Sequence, residues 1–153
     1  MNYYKTTEKF LYNYRPLKIS IENMESELKE LEPLGASAID YSKEKTGATY
    51  NISKQTEDEA LHIITQKEIL KDRIEKTKKK VERIEKGLSS LSPIEKEIIS
   101  RRYFESEQWY EIAYKVKYHE SWCKEIRKRA INKLSVALFG VEAVRVDEYK
   151  TQA

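Results

Sequence analysis

The chain is poor in the residues on which most site chemistry depends. A single cysteine excludes an internal disulfide, and with only His62 and His119 beside Cys123 there is no zinc-ligand spacing. Four glycines form no phosphate-cradling loop, and neither a nucleophile motif nor a paired-histidine site occurs, so neither an enzyme nor a bound cofactor is expected. No apolar run approaches eighteen residues and no signal-like segment opens the chain; the expectation is a cytoplasmic, reduced protein without a membrane partner. Only three prolines accompany the four glycines, while 36% of residues are charged, and that balance describes long solvated helices rather than sheet. The predicted fold class is therefore all-α. A net charge of +3 is too small to announce a nucleic-acid binder, so any such argument must rest on where the charge lies.

The most informative stretch is residues 91–134. Ser92 can cap a helix whose first residue is Pro93, and Glu95 stands where a capping-box carboxylate reaches back to the cap amide. Ile94, Ile98, Ile99 and Tyr103 share a helical stripe. A second helix, with its entry expected at Ser106, places Trp109, Ile112, Ala113 and Val116 on one face. A third begins near His119 and Glu120 and carries Cys123, Ile126, Ala130 and Leu134 on its apolar line, leaving Lys124, Arg127, Lys128 and Arg129 off it. Lys117, Tyr118 and His119 leave room only for a tight turn between the second and third helices. Two short helices so joined, the later one basic outward, fit the geometry that lays a recognition helix in a major groove. The periodicity alone would also fit a three-helix bundle with a solvated basic face.

This segment resembles region four of bacterial sigma factors: a Leu-Ser start (Leu91-Ser92), an Arg-Tyr-Phe (Arg102 to Phe104), a Glu-Ile-Ala (Glu111 to Ala113) and a closing Ala130-Ile131-Asn132-Lys133-Leu134. Two positions depart from that pattern. Lys117 stands at a turn position often filled by glycine, and the third helix opens His119-Glu120-Ser121-Trp122 without an arginine-rich start. The resemblance implies a helix-turn-helix that binds double-stranded DNA. Base-edge positions would be Glu120, Ser121, Lys124 and Glu125, with His119, Trp122 and Lys128 beside them and Arg102 on the sugar-phosphate backbone. Arm and module together resemble phage late transcriptional regulators of the RinA and ArpU type, which implies a phage or prophage regulator with RNA polymerase as a further partner.

Upstream, Tyr14, Leu17, Ile21, Met24, Leu28 and Leu31 recur in steps of three and four, a coiled-coil seam expected to end at Pro33 and Gly35. Thr56 and Glu59 read as a second capping box. The helix they would open carries Ala60, Ile63, Lys67, Leu70, Ile74, Thr77, Val81, Ile84 and Leu88 on one seam. An antiparallel hairpin of these helices would leave part of the longer seam either for the N-terminal aromatics or for a second copy of the chain, the latter making a homodimer through the arm. The basic run from Lys76 to Lys86 offers either phosphate contacts or a solvated face. Gly87, Ser89 and Ser90 read as a hinge, and Thr6 or Thr7 as the cap of a first short helix.

The expected organisation is thus a hairpin arm over residues 1–88 with a loop at 33–53, a helix-turn-helix domain over 89–140, and a loosely held tail over 141–153. The corresponding function is a sequence-specific, sigma-like DNA-binding transcription regulator. Two alternatives stay open: a phage terminase small subunit, which also joins a helix-turn-helix to oligomerising helices, and a divergent sigma factor. The second would need a promoter-melting module, and residues 1–88 contain no recognisable one.

Overall fold

The computed structural model describes residues 1–37 and 50–144. Among these the fold is all-α, with six α-helices and no strand: α1 (Tyr3–Tyr12), α2 (Tyr14–Ser37), α3 (Tyr50–Ser89), α4 (Pro93–Ile99), α5 (Trp109–Val116) and α6 (Glu120–Phe139). A π-helical turn, Ser100–Phe104, follows α4, and a 3-10 turn, Gly140–Ala143, follows α6. Most of the expected 33–53 loop and residues 145–153 of the expected tail lie outside the described residues. The ends of that loop are helical: α2 runs past Pro33 and Gly35 to Ser37, and α3 already begins at Tyr50. Thr56 and Glu59 therefore sit inside α3. A capping box marks where a helix can begin, and here the helical residues before it extend the helix upstream.

Among the described residues there are two compact units, residues 1–17 together with 80–144, and residues 18–37 together with 50–79; both boundaries fall within helices. In the second unit the seam of α3 is buried at Ala60, Leu70 and Ile74, and Ile21, Met24, Leu28 and Leu31 of α2 are half-buried. Lys78 pairs with Glu25, and the Lys67 ammonium donates to the Glu32 carbonyl at 3.3 Å. The earlier α3 residue thus meets the later α2 residue. Lys67, a polar residue on the seam, satisfies its charge on a backbone carbonyl rather than in the apolar contact.

The first unit is built around α6. Leu11 of α1, Ile84 and Leu88 of α3, Leu91, Ile99, Tyr103 of the π turn, and Ala130, Ile131 and Leu134 of α6 form one buried cluster. The N-terminal aromatics are structural: Tyr3 and Phe10 meet Phe139, Tyr12 meets Tyr103 edge-on at 4.7 Å, and Tyr14 meets Phe104 at 4.8 Å. Asn2, not Thr6 or Thr7, caps α1, its side chain accepting from the Lys5 amide. Thr7 is instead fully buried, its hydroxyl 2.8 Å from that of Ser135. Whichever of the pair donates, the other can still donate within its own helix, to the Tyr3 or the Ile131 carbonyl. Gly87 is no hinge: it is buried inside α3, and a Cβ there would lie 3.0 Å from Leu134 Cδ2. Its missing side chain lets α3 and α6 approach. Gly140, at φ +71°, does end α6 as its backbone freedom predicts.

Candidate nucleic-acid interface

Local sequence explains the entry of α4 and of α5. The Ser92 hydroxyl accepts from the Glu95 amide while the Glu95 carboxylate accepts from the Ser92 amide, and Pro93 occupies the first turn. Glu95 is buried and also receives Lys133 at 2.7 Å. Burial raises its pKa, but the Lys133 ammonium and the Ser92 donors outweigh that and leave it below the ordinary carboxylate value.

After α4 the chain widens into the π turn, closed by the Glu105 amide on the Ser100 carbonyl at 3.1 Å. Tyr103 is buried here, as its place on the apolar stripe predicts; its hydroxyl donates to Glu8 at 2.6 Å, and burial beside that carboxylate pushes the phenol upward. Arg102 lies against α5, over the Trp109 ring. Ser106, expected to open the second helix, lies in the connection at φ +56°; α5 is entered through a capping box of Gln108 and Glu111. Glu107 organises this connection. Its carboxylate accepts from Lys115 and Arg101, its carbonyl from Arg102 at 3.0 Å, and the Lys115 hydrogen bond holds its pKa below the usual range.

The turn into α6 is as tight as the spacing predicts. Lys117 adopts φ +60°, ψ +37°, the left-handed conformation that glycine takes most cheaply, and the Tyr118 amide closes on the Ala113 carbonyl at 3.2 Å. The departure from glycine at this position is thus tolerated with some strain. Beneath, Cys123 and Ile126 of α6 lock onto Ile98 and Ile112, with Ile94, Trp109, Ala113 and Val116 around them. Cys123 is the buried core residue that its place on the apolar line predicts, its thiol pushed up by burial.

This underside fixes what α6 shows to solvent. At about 3.6 residues per turn, Glu120, Ser121, Lys124, Glu125 and Lys128 fall on one arc, all exposed. His119, the N-cap residue, whose side chain makes no capping hydrogen bond, is exposed at its head. Trp122, 43% exposed, stands at one margin with the Arg129 guanidinium 4.9 Å from its ring centroid. Seven of the eight residues singled out from sequence therefore share this face. Arg102 does not stand free beside them: it is half-buried, hydrogen-bonded to the Glu107 carbonyl and stacked 5.0 Å from the Trp109 ring centroid.

The other margin of the arc went unread in the sequence. Arg127 at 5.3 Å and Lys124 at 6.0 Å join Arg102 around the same Trp109 ring. Spacing put Trp109 on the apolar face; that its ring also gathers cations depends on the π turn bringing Arg102 across, which no periodicity reveals. The basic run on α3 is largely engaged within the chain: Lys76 with Asp72, Lys79 with Glu75, Lys78 with Glu25, and Lys80 over the Phe10 ring.

Among the described residues no group of His, Cys, Asp or Glu could hold a metal ion, and no helix is long and apolar enough to cross a membrane. A depression beside the turn, lined by Ala113, Tyr114, Lys117, Tyr118 and His119 among others, is open to solvent. What the geometry defines is an all-helical protein that presents one polar, cation-flanked helix face. Residues 4–136 match the family described as a protein of unknown function (DUF722), and the chain belongs to that family. No curated protein and no solved structure matches it.

Proposed function

We propose that this protein is a sequence-specific DNA-binding transcription regulator, in which α5 and α6 act as a sigma region four-like helix-turn-helix and α2 with α3 forms a hairpin arm. The observation that carries the reading is the exposed arc of α6. Its underside is locked by Cys123 and Ile126, its entry is a tight left-handed turn, and its outward side holds hydrogen-bonding side chains with cations at both margins. A helix held so firmly that its side chains meet a groove in a fixed register is what base reading requires. Glu120, Ser121 and Glu125 serve as base readers, with His119, Trp122 and Lys128 at the sugar-phosphate edge and Lys124, beside the Trp109 ring, turned from base reading to that same edge. Arg102 acts from within the module. RNA polymerase as a second partner extends this reading by resemblance, and a second copy joined through the arm extends it from the unpaired part of the longer seam.

Selection of bound sequences from a random duplex pool by the full chain, at stated salt, tests the proposal. Enrichment of one motif is expected, together with binding that falls steeply as salt rises. A folded chain that retains no duplex at low salt would refute it. Enrichment by a ring-forming oligomer would favour a packaging subunit over a regulator.

A further inference from the structure

Three cations from two elements converge on one indole. Arg102 comes from the π turn, Lys124 and Arg127 from α6, and their charged groups lie 5.0, 6.0 and 5.3 Å from the Trp109 ring centroid. Mutual repulsion opposes such a gathering, and the negative face of the ring offsets part of it. The carboxylates nearby do little: Glu8 reaches Arg127, and Glu120 reaches Lys124, each only at 3.9 Å. Glu8 is already the acceptor of the Tyr103 hydroxyl. Arg102 gives a donor to the neutral Glu107 carbonyl, and among the described residues the Nε atoms of both Arg102 and Arg127, like Oε2 of Glu107, are buried with no hydrogen-bond partner. The cluster is therefore positively charged and held in place before any ligand arrives. It also borders the exposed arc of α6.

We propose that Lys124, Arg127 and Arg102, mounted on Trp109, form a seat for one phosphate group. This rests on the DNA-binding reading to the extent that the phosphate is a diester of the duplex backbone bordering the groove that α6 enters. The seat itself recognises a tetrahedral oxyanion, so a free polyphosphate shares its chemistry. Arg127, through planar guanidinium donors, and Lys124, as a mobile ammonium, bind the oxygens, while Arg102, held by the Glu107 carbonyl, contributes charge. Phosphate contact at this margin is indifferent to sequence and sets how far α6 advances into the groove.

Trp109 is both the platform and the reporter. The full wild-type chain is titrated with fluorescently labelled random duplex and, separately, with tripolyphosphate, and a Trp122→Phe variant, in which Trp109 is the sole tryptophan, is titrated alongside it to assign the emission change. Binding is followed by anisotropy of the label and by indole emission. Duplex binding is expected to change Trp109 emission. Arg127→Gln in the otherwise wild-type chain should weaken binding about tenfold and equally for all sequences, lowering the log-log salt slope by about one unit. Lys124→Gln is exposed and cannot disturb the core, so it should lower the salt slope even if the Arg127 variant fails to fold. If anisotropy reports binding while emission is unmoved and Lys124→Gln keeps the full slope, the seat is wrong and the DNA reading stands. If no duplex binds but tripolyphosphate shifts emission, and Lys124→Gln abolishes that shift, the seat stands and the DNA reading falls. If neither ligand moves the emission, the seat is refuted.

Discussion

Replacing Leu11 with alanine tests whether the first helix belongs to the module that carries α6. Leu11 is 1% exposed and packs in the cluster of Ile99, Tyr103, Ala130, Ile131 and Leu134. The substitution removes three carbons, worth about 0.8 kcal/mol each in transfer free energy, and leaves a cavity in a core shared by α1, α3, α4, the π turn and α6. The sum lies at about 3 kcal/mol, in the range found for buried Leu→Ala changes. Val141→Ala is the control, because Val141 is 83% exposed and its loss should cost less than about 0.5 kcal/mol. Urea unfolding followed by far-ultraviolet circular dichroism measures both. The same packing means that a fragment of residues 89–139, although it holds α4 to α6, lacks Leu11, Ile84 and Leu88 and should not fold alone. A loss below about 1 kcal/mol for Leu11→Ala, or a cooperative unfolding transition in that fragment, would refute the claim that α1 and the end of α3 complete the module.

Lys117→Gly should stabilise the turn by about 0.5–1 kcal/mol, since it relieves a side chain held at positive φ; a loss of stability in thermal melts would count against that account. Gly87→Val should destabilise by about 1–3 kcal/mol through overpacking against Leu134, and a raised melting temperature would show that the α3 to α6 approach is loose. Glu95 and Glu107 both titrate below their ordinary value of 4.5. A depressed carboxylate contributes stability that is fully present above its unfolded pKa and lost as pH falls through its folded one. Acid melts should therefore show stability declining below about pH 4.5, and Glu95→Gln should flatten that decline; an unchanged pH profile would dismiss the Glu95–Lys133 contact as a contributor. Among the groove-facing residues, Lys128→Ala should weaken binding to all duplexes alike and lower the salt slope by about one unit. Glu120→Ala or Glu125→Ala should raise non-specific affinity while lowering the specific-to-non-specific ratio. The reverse pattern in a competition titration would exchange the reading and clamping roles.

What the sequence determined by itself is whatever repeats along one helix or is enforced by one residue's backbone chemistry. The helical class follows from scarce glycine and proline, the seam of α3 from its three-and-four spacing, the start of α4 from Ser92, Pro93 and Glu95, and the end of α6 from Gly140. The exposed arc of α6 was legible for the same reason, since Cys123, Ile126 and Ala130 fix the side that is buried and so the side that is not. Tertiary structure decided everything that depends on which distant residues meet. Thr7 is a buried partner of Ser135, 128 positions away, rather than a cap. Gly87 is a packing notch because Leu134 fills the space where its side chain would be. The π turn was hidden because a single inserted residue shifts the phase of every later side chain without changing composition, and it is this shift that carries Arg102 to Trp109. Periodicity records a residue's angle about its own helix axis; a cluster drawn from two helices and a turn depends on the angles between axes, which only the folded core sets.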